Sequence, residues 1–305
     1  MASGISSLWT RHWVNGTALT RIIAVNLIVW LAVVFLSILG KFFFPVLQQF
    51  SNGVFYLATW ADVHYLVRRP WTVITHMFTH QGVLHILVNM WLLYLMGSIF
   101  QGNLGARKLL STYLMGGLVG FLAFFLLYNG SGALDATGKS AIGASASVMA
   151  IFVATATYFP DMEFRLLLIG NVKLKYLALV YVLLDFVALN GMGNVGGHAG
   201  HLGGALYGFL LVVQWRKGRD LNAGMEWLID RLVLLVRPTE RKLRVAHKRS
   251  AAAATAKRKT DEEFNRQKKE RQDRIDRILD KISRAGYDSL TSDEKDYLFR
   301  HGKDI

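Results

Sequence analysis

The sequence predicts an all-α membrane protein: a bundle of six transmembrane helices followed by a small cytoplasmic helical tail. Three observations predict it. Hydrophobic residues make up 52% of the chain against 18% charged, and mean hydropathy is positive, which is the balance of a chain that lives in lipid. Six apolar segments follow one another, near 22–39, 83–100, 109–128, 142–159, 172–189 and 199–215. Beyond the sixth, the composition turns abruptly to Lys, Arg and Glu with helical spacing.

A helix needs about 20 apolar residues to cross hydrocarbon, which most of these segments supply. The fourth and sixth are short and rich in Gly, Ala and Ser, so they are expected to face protein instead of lipid. The chain divides into a cytoplasmic N-terminal segment (1–20), a six-span domain (21–216), a basic juxtamembrane helix and linker (217–260) and a helical appendage (261–305). The start "MASGISSLWTRHWVNG" has no short apolar core with a cleavage site, so the first span is expected to act as the insertion signal.

Orientation follows from the loops. Arg107 and Lys108 separate spans two and three, Arg165, Lys173 and Lys175 separate four and five, and the basic tail follows six. The positive-inside rule then puts both termini in the cytoplasm. Net charge is +14, yet 13 Lys or Arg against 4 Asp or Glu fall in residues 216–259, directly after the last span. Anionic lipid headgroups explain that placement, and nucleic acid is not expected as a partner. The segment "LNAGMEWLIDRLVLLVRP" reads as an amphipathic surface helix. In the appendage, Phe264, Ile275, Ile278, Leu279 and Ile282 form an apolar stripe, Gly286 ends the helix, and Thr291 with Glu294 forms a capping box. Such a module suits a protein partner better than catalysis.

In this orientation four polar residues share one depth near the outer surface. His85 and Asn89 lie in the outer turns of span two, Ser145 opens span four, and His201 lies at the outer end of span six. Ionisable groups within spans are costly and point to function. Gly200, Gly204 and Gly208 recur every four residues, as do Ala146, Ala150 and Ala154, so spans four and six are expected to pack closely. That would bring the His201 imidazole to the Ser145 hydroxyl, an activated nucleophile. Free N–H groups at the start of span four, with His85 and Asn89 spaced i, i+4 on one face, suit an oxyanion.

Taken alone, Ser145 would be a packing residue, as Ser often is between membrane helices. Asp185, near the outer end of span five, could orient His201 as a third triad member, but an acid there more often snorkels to the interface, which is the expectation, and His76 and Trp71 are expected to be structural. A zinc site from His80, His85, His198 and His201 lacks a His-Glu-x-x-His helix or any cysteine, so no metal or other cofactor is expected. The chain has no cysteine, which also removes disulfides and thiol nucleophiles.

Together, His85-x-x-x-Asn89, Gly143-Ala144-Ser145 and "GHLGGALYG" from Gly200 resemble the rhomboid family of intramembrane serine proteases, over roughly residues 20–215. The resemblance implies a Ser145–His201 dyad, with the Ser145 N–H, His85 and Asn89 as oxyanion donors. It implies supporting roles for His80, His198, Gly143, Met149 and Gly204. It also implies single-pass membrane proteins as substrates, cut near the outer end of their spans. Ala146 stands where the family commonly has Gly, and Met149 where many members have an aromatic residue. The appendage resembles one carried by bacterial members, particularly in the Bacteroidetes, which implies a bacterial inner membrane. An inactive relative that only binds transmembrane segments is the alternative, though it would be expected to lack the dyad. A transport pathway would need polar residues continuing to the inner face, which are absent from the sequence.

Overall fold

A computed structural model of the chain describes residues 17–42, 53–130, 132, 134–166, 169–191, 193–236 and 251–301. The expectations for residues 1–16 and for the basic linker 237–250 lie outside these. All six apolar segments are helices: α1 (Ala18–Phe42), α2 (Val83–Leu104), α3 (Ala106–Gly130), α4 (Ser145–Tyr158), α5 (Leu174–Ala188) and α6 (Val195–Trp215). Among the described residues, α1, α2 and α3 are long and apolar enough to cross a membrane. α1 turns Ile28, Leu31 and Phe35 outward, α2 turns Leu84, Leu87 and Trp91, and α5 turns Leu184, Phe186 and Val187. An apolar belt of this extent would not stand in water, and it marks a helical membrane protein.

α4 is different. Its 14 residues reach only about 21 Å at 1.5 Å per residue, less than a bilayer's hydrocarbon. It can be short because it stands inside the bundle, with every residue from Ala146 to Ala156 buried. Its neighbours meet it through small residues on two sides. A Cβ on Gly116 or Gly120 of α3 would lie 2.4 Å from the methyl of Ala150 or Ala146. On the other side, a Cβ on Gly204 or Gly208 of α6 would lie 2.1 Å from the carbonyl oxygen of Ala146 or Ala150. The expected stripe therefore holds for Gly204 and Gly208, whereas Gly200 faces Gly120 of α3, whose added Cβ would lie 2.8 Å from the Gly200 oxygen. Close backbone approach is how helices gain dispersion energy in lipid, where the hydrophobic effect between them vanishes.

The connection from α1 to α2 is folded, not a loose loop. Arg69 stacks its guanidinium over Phe55 at 4.3 Å, and Trp71 donates to the Tyr56 carbonyl at 3.0 Å. Inside, the Tyr113 hydroxyl of α3 donates to the Met77 carbonyl at 2.8 Å and accepts from Asn26 of α1 at 3.1 Å. Here the all-α expectation needs correction. β1 (Thr59–Trp60) pairs antiparallel with β2 (Ser140–Ala141), and β3 (Glu163–Leu166) with β4 (Gly170–Lys173). Both are short ribbons: the first ties the connection to the approach of α4, and the second reverses the chain between α4 and α5. At this second turn Lys173 and Lys175 bond Asp161 at 3.0 and 2.9 Å, which holds the Asp161 carboxyl below its ordinary range.

The chain forms two compact units, Met1–Pro238 and Thr239–Ile305. The first reaches past α6 because α7 (Ala223–Val236) is fastened to α3. Arg107 pairs with Glu226 and Asp230, and Lys108 with Asp220. Beside them buried Asn222 accepts from Tyr207 at 2.5 Å and donates to Thr112 at 2.9 Å. In the second unit α8 (Ala251–Ala285) stops at Gly286, whose φ is +78°, and α9 (Ser292–His301) folds back against it. The capping box is formed: the Thr291 N–H donates to Glu294 at 2.8 Å and the Glu294 N–H to the Thr291 hydroxyl at 3.3 Å. Lys281 adds a bond to Glu294 at 2.7 Å.

Gly204→Ala forces a methyl onto the Ala146 carbonyl and should lower stability by about 1–3 kcal/mol or more. Gly102→Ala, with nothing within 4 Å of its Cβ position, should not. Thermal unfolding in detergent checks this, and equal midpoints for the two variants would refute the contact. The Lys281 ammonium, followed by the Thr291 N–H, holds the Glu294 carboxyl down to about 2 from its ordinary 4.5. Its contribution is therefore full above pH 4.5 and lost as pH falls toward 2. Amide exchange of α9, corrected for intrinsic rates, should lose protection through that window, and Glu294→Gln should flatten the dependence.

Candidate active site

Ser145 is delivered by a sharply turned segment. After β2, Gly143 adopts φ +113°, a conformation that favours glycine. Its N–H donates to the His76 carbonyl at 2.9 Å, and the next N–H, of Ala144, donates to His80 Nε2 at 3.3 Å. His80 is thus an acceptor at Nε2, and its buried ring pins the start of α4 from the α1–α2 connection. Ser145 is the first residue of α4, so its own N–H has no intrahelical acceptor. Gly143 has a second reason to lack a side chain. A Cβ there would lie 2.8 Å from the His85 ring and 3.7 Å from Ser145 Oγ.

His85 and Asn89 occupy the first two turns of α2. Asn89 is buried and donates one amide hydrogen to the His85 carbonyl at 2.8 Å, keeping the side chain in place. The His80 and His85 rings meet edge to face, 5.1 Å between centroids. On α6, the Asn194 side chain caps the helix by accepting from the Gly197 N–H at 3.2 Å. His198 and His201 follow three residues apart on one face.

Asp185 corrects the sequence reading. Far from snorkelling outward, it is buried in the last turn of α5 and faces both α6 histidines. His201 Nδ1 lies 3.0 Å from Asp185 Oδ1, and His198 Nδ1 lies 2.7 Å from the same oxygen. A carboxylate only accepts, so each ring donates from Nδ1, and His201 keeps Nε2 as its basic atom. Depth was legible in the sequence; what it lacked was any sign of which way Asp185 points. Asp185 lies in the last turn of α5, at the end of the bundle where His85, Asn89, Ser145 and His201 lie in the opening turns of their helices.

One cavity of about 640 Å³ brings the predicted residues together: His85, Asn89, Ser145, Met149 and His201 all line it, with Tyr181 of α5. His80, His198, Gly143 and Gly204 stand behind them. Ser147 is fully buried outside this lining, which leaves Ser145 as the α4 hydroxyl in the cavity. A hydroxyl, an imidazole with a free Nε2, and polar donors from a third helix form the equipment of acyl transfer.

A model of the rhomboid domain matches residues 67–217. The chain is a member of the rhomboid family. A second model, for a family of unknown function (DUF6576), matches residues 258–304, the α8–α9 region. Among curated proteins, presenilin-associated rhomboid-like protein A, mitochondrial, of Danio rerio is 32% identical over 154 residues, covering 47% of this chain and 38% of its own length. RHOMBOID-like protein 12, mitochondrial, of Arabidopsis thaliana is 29% identical over 229 residues, covering 71% of this chain and 65% of its own length. The human presenilin-associated rhomboid-like protein, mitochondrial, is 31% identical over 140 residues, 44% of this chain and 35% of its own length. The chain thus spans less than two thirds of each relative. All three are mitochondrial by name, so the expected bacterial inner membrane finds no support among them.

Proposed function

We propose that this rhomboid is a six-span intramembrane serine endopeptidase that hydrolyses a peptide bond near the outer end of a single-pass membrane protein. Ser145 Oγ attacks the carbonyl carbon while His201 Nε2 takes the hydroxyl proton, and His201 then gives that proton to the leaving amine. The Ser145 N–H, His85 and Asn89 stabilise the oxyanion. Water entering the cavity hydrolyses the acyl-enzyme by the same steps in reverse. Asp185 is a positioning residue: it fixes the tautomer of His201 and compensates the imidazolium that forms, as a carboxylate does in serine protease triads on other folds.

The observation that carries this reading is convergence. Side chains from α2, α4 and α6 line one cavity, and His201 has its Nδ1 committed to a buried carboxylate. The membrane orientation proposed with it has both termini inside, since Arg107, Lys108, Arg165 and Lys173 all lie at the bundle end away from Ser145. Ala146 fits this reading as well, because Gly120 leaves room for its methyl.

The test is hydrolysis of a fluorogenic transmembrane peptide by the purified chain in detergent. Ser145→Ala should reduce the rate by at least about 1000-fold, and cleavage undiminished in that variant would end the proposal. Asp185→Asn should lower kcat by roughly 10- to 100-fold with KM changed little, because it loosens the base and not the substrate. Wild-type kcat in this variant would reduce Asp185 to a packing role.

A further inference from the structure

Asp185 has one carboxylate oxygen that the proposed chemistry does not use. Oδ1 receives both imidazoles, while Oδ2 is buried and has no hydrogen-bond partner among the described residues. Buried carboxylate oxygens are seldom left bare, and one that stands beside two histidines is placed to ligate a cation. One ring nitrogen of His198, one of His201 and an Asp185 oxygen all lie within 4.8 Å of one another, and both Nδ1 atoms reach Asp185 Oδ1 at 2.7 and 3.0 Å. Two imidazole nitrogens and a carboxylate are the donor set of a three-ligand zinc site with a fourth position open to water. Around tetrahedral zinc the donor atoms stand roughly 3.3 Å apart, so small side-chain rotations would suffice. The His198 side chain is 28% exposed, against 6% for Asp185, and gives the ion an entrance.

We infer that Asp185, His198 and His201 form a Zn²⁺ site whose occupation switches off the proposed base. Zinc takes the lone pair at Nδ1 of each ring. Each neutral imidazole keeps its single proton, which moves through water from Nδ1 to Nε2. His201 then presents an N–H to the cavity and cannot accept a proton from Ser145. The metal is an inhibitor and takes no part in turnover. The inhibition rests on the protease reading, whereas the binding does not.

The full-length chain, carrying no polyhistidine tag and stripped with EDTA before the chelator is removed, is titrated with ZnCl₂ by calorimetry. The same preparations are assayed on the fluorogenic transmembrane peptide. Wild type should bind one Zn²⁺ per chain and lose at least 90% of its hydrolysis at saturation, with recovery on adding EDTA. His198→Ala should bind at least 10-fold more weakly, and the hydrolysis it retains should resist zinc at the concentration that silences wild type. His198→Gln serves where the alanine variant does not fold. Absence of zinc binding to wild type, or binding undiminished in both His198 variants, overturns the site; saturation without inhibition overturns the switch. A stripped wild-type chain that binds zinc but hydrolyses nothing contradicts the protease reading and leaves the site standing.

Discussion

Everything at the site depends on how closely α4 is gripped by its neighbours. Its Ala146 and Ala150 methyls rest in the gaps left by Gly120 and Gly116 of α3, while its backbone carbonyls press on Gly204 and Gly208 of α6. Nothing larger than hydrogen fits on the α6 side. In lipid this contact has no solvent-driven component, so it must be made by fit. Its consequence is positional. His201 sits one turn before Gly204 and Ser145 immediately before Ala146, so the packing register of two helices becomes the register of a hydroxyl and an imidazole.

The same contact accounts for Ala146, the residue after Ser145. A methyl in place of glycine would crowd a closely packed bundle unless the facing helix gave way, and Gly120 gives way. The α3 glycines and α4 alanines are therefore complementary, with bulk moved from one side of the contact to the other. Polar groups are treated differently at the two ends of the bundle. Arg107 and Asp230 are half exposed, a kind of pair that contributes little in water. Asp185 is buried where an uncompensated charge would be costly, and two imidazoles answer it. A buried carboxylate with two claimants constrains the orientation of both rings, which is what the proposed base with a single free nitrogen requires.

Much of this was legible in the sequence, and the reasons are local. The six helices are apolar runs, and their ends fall within about four residues of the expected limits because Gly82, Gly105 and Gly143 punctuate the backbone with positive φ. The i, i+4 spacing of His85 with Asn89 and of the α6 glycines is a property of one helix at a time, so it can be read without coordinates. What escaped was pairing between elements. Asp185 carries no local pattern; its partners lie 13 and 16 residues away across a turn. Gly116 and Gly120 were invisible for the same reason, since their role exists only opposite Ala150 and Ala146. The sequence alone gives the amphipathic segment after α6 as a surface helix; Glu226 and Asp230 opposite Arg107, with Asp220 just before the segment opposite Lys108, show why it belongs to the bundle.

The absence of cysteine makes the central claim directly measurable, because two introduced thiols meet no background. Ser145→Cys combined with His201→Cys, in native membranes and treated with a short thiol-to-thiol crosslinker, should join α4 to α6. Proteolysis between the two helices would then leave the fragments linked until reduction. Ser145→Cys with Leu210→Cys, more than two turns further along α6, should stay unlinked. If the first pair fails to join while both thiols react singly with a maleimide, the serine and the histidine do not share a cavity, and the account built on their meeting is wrong.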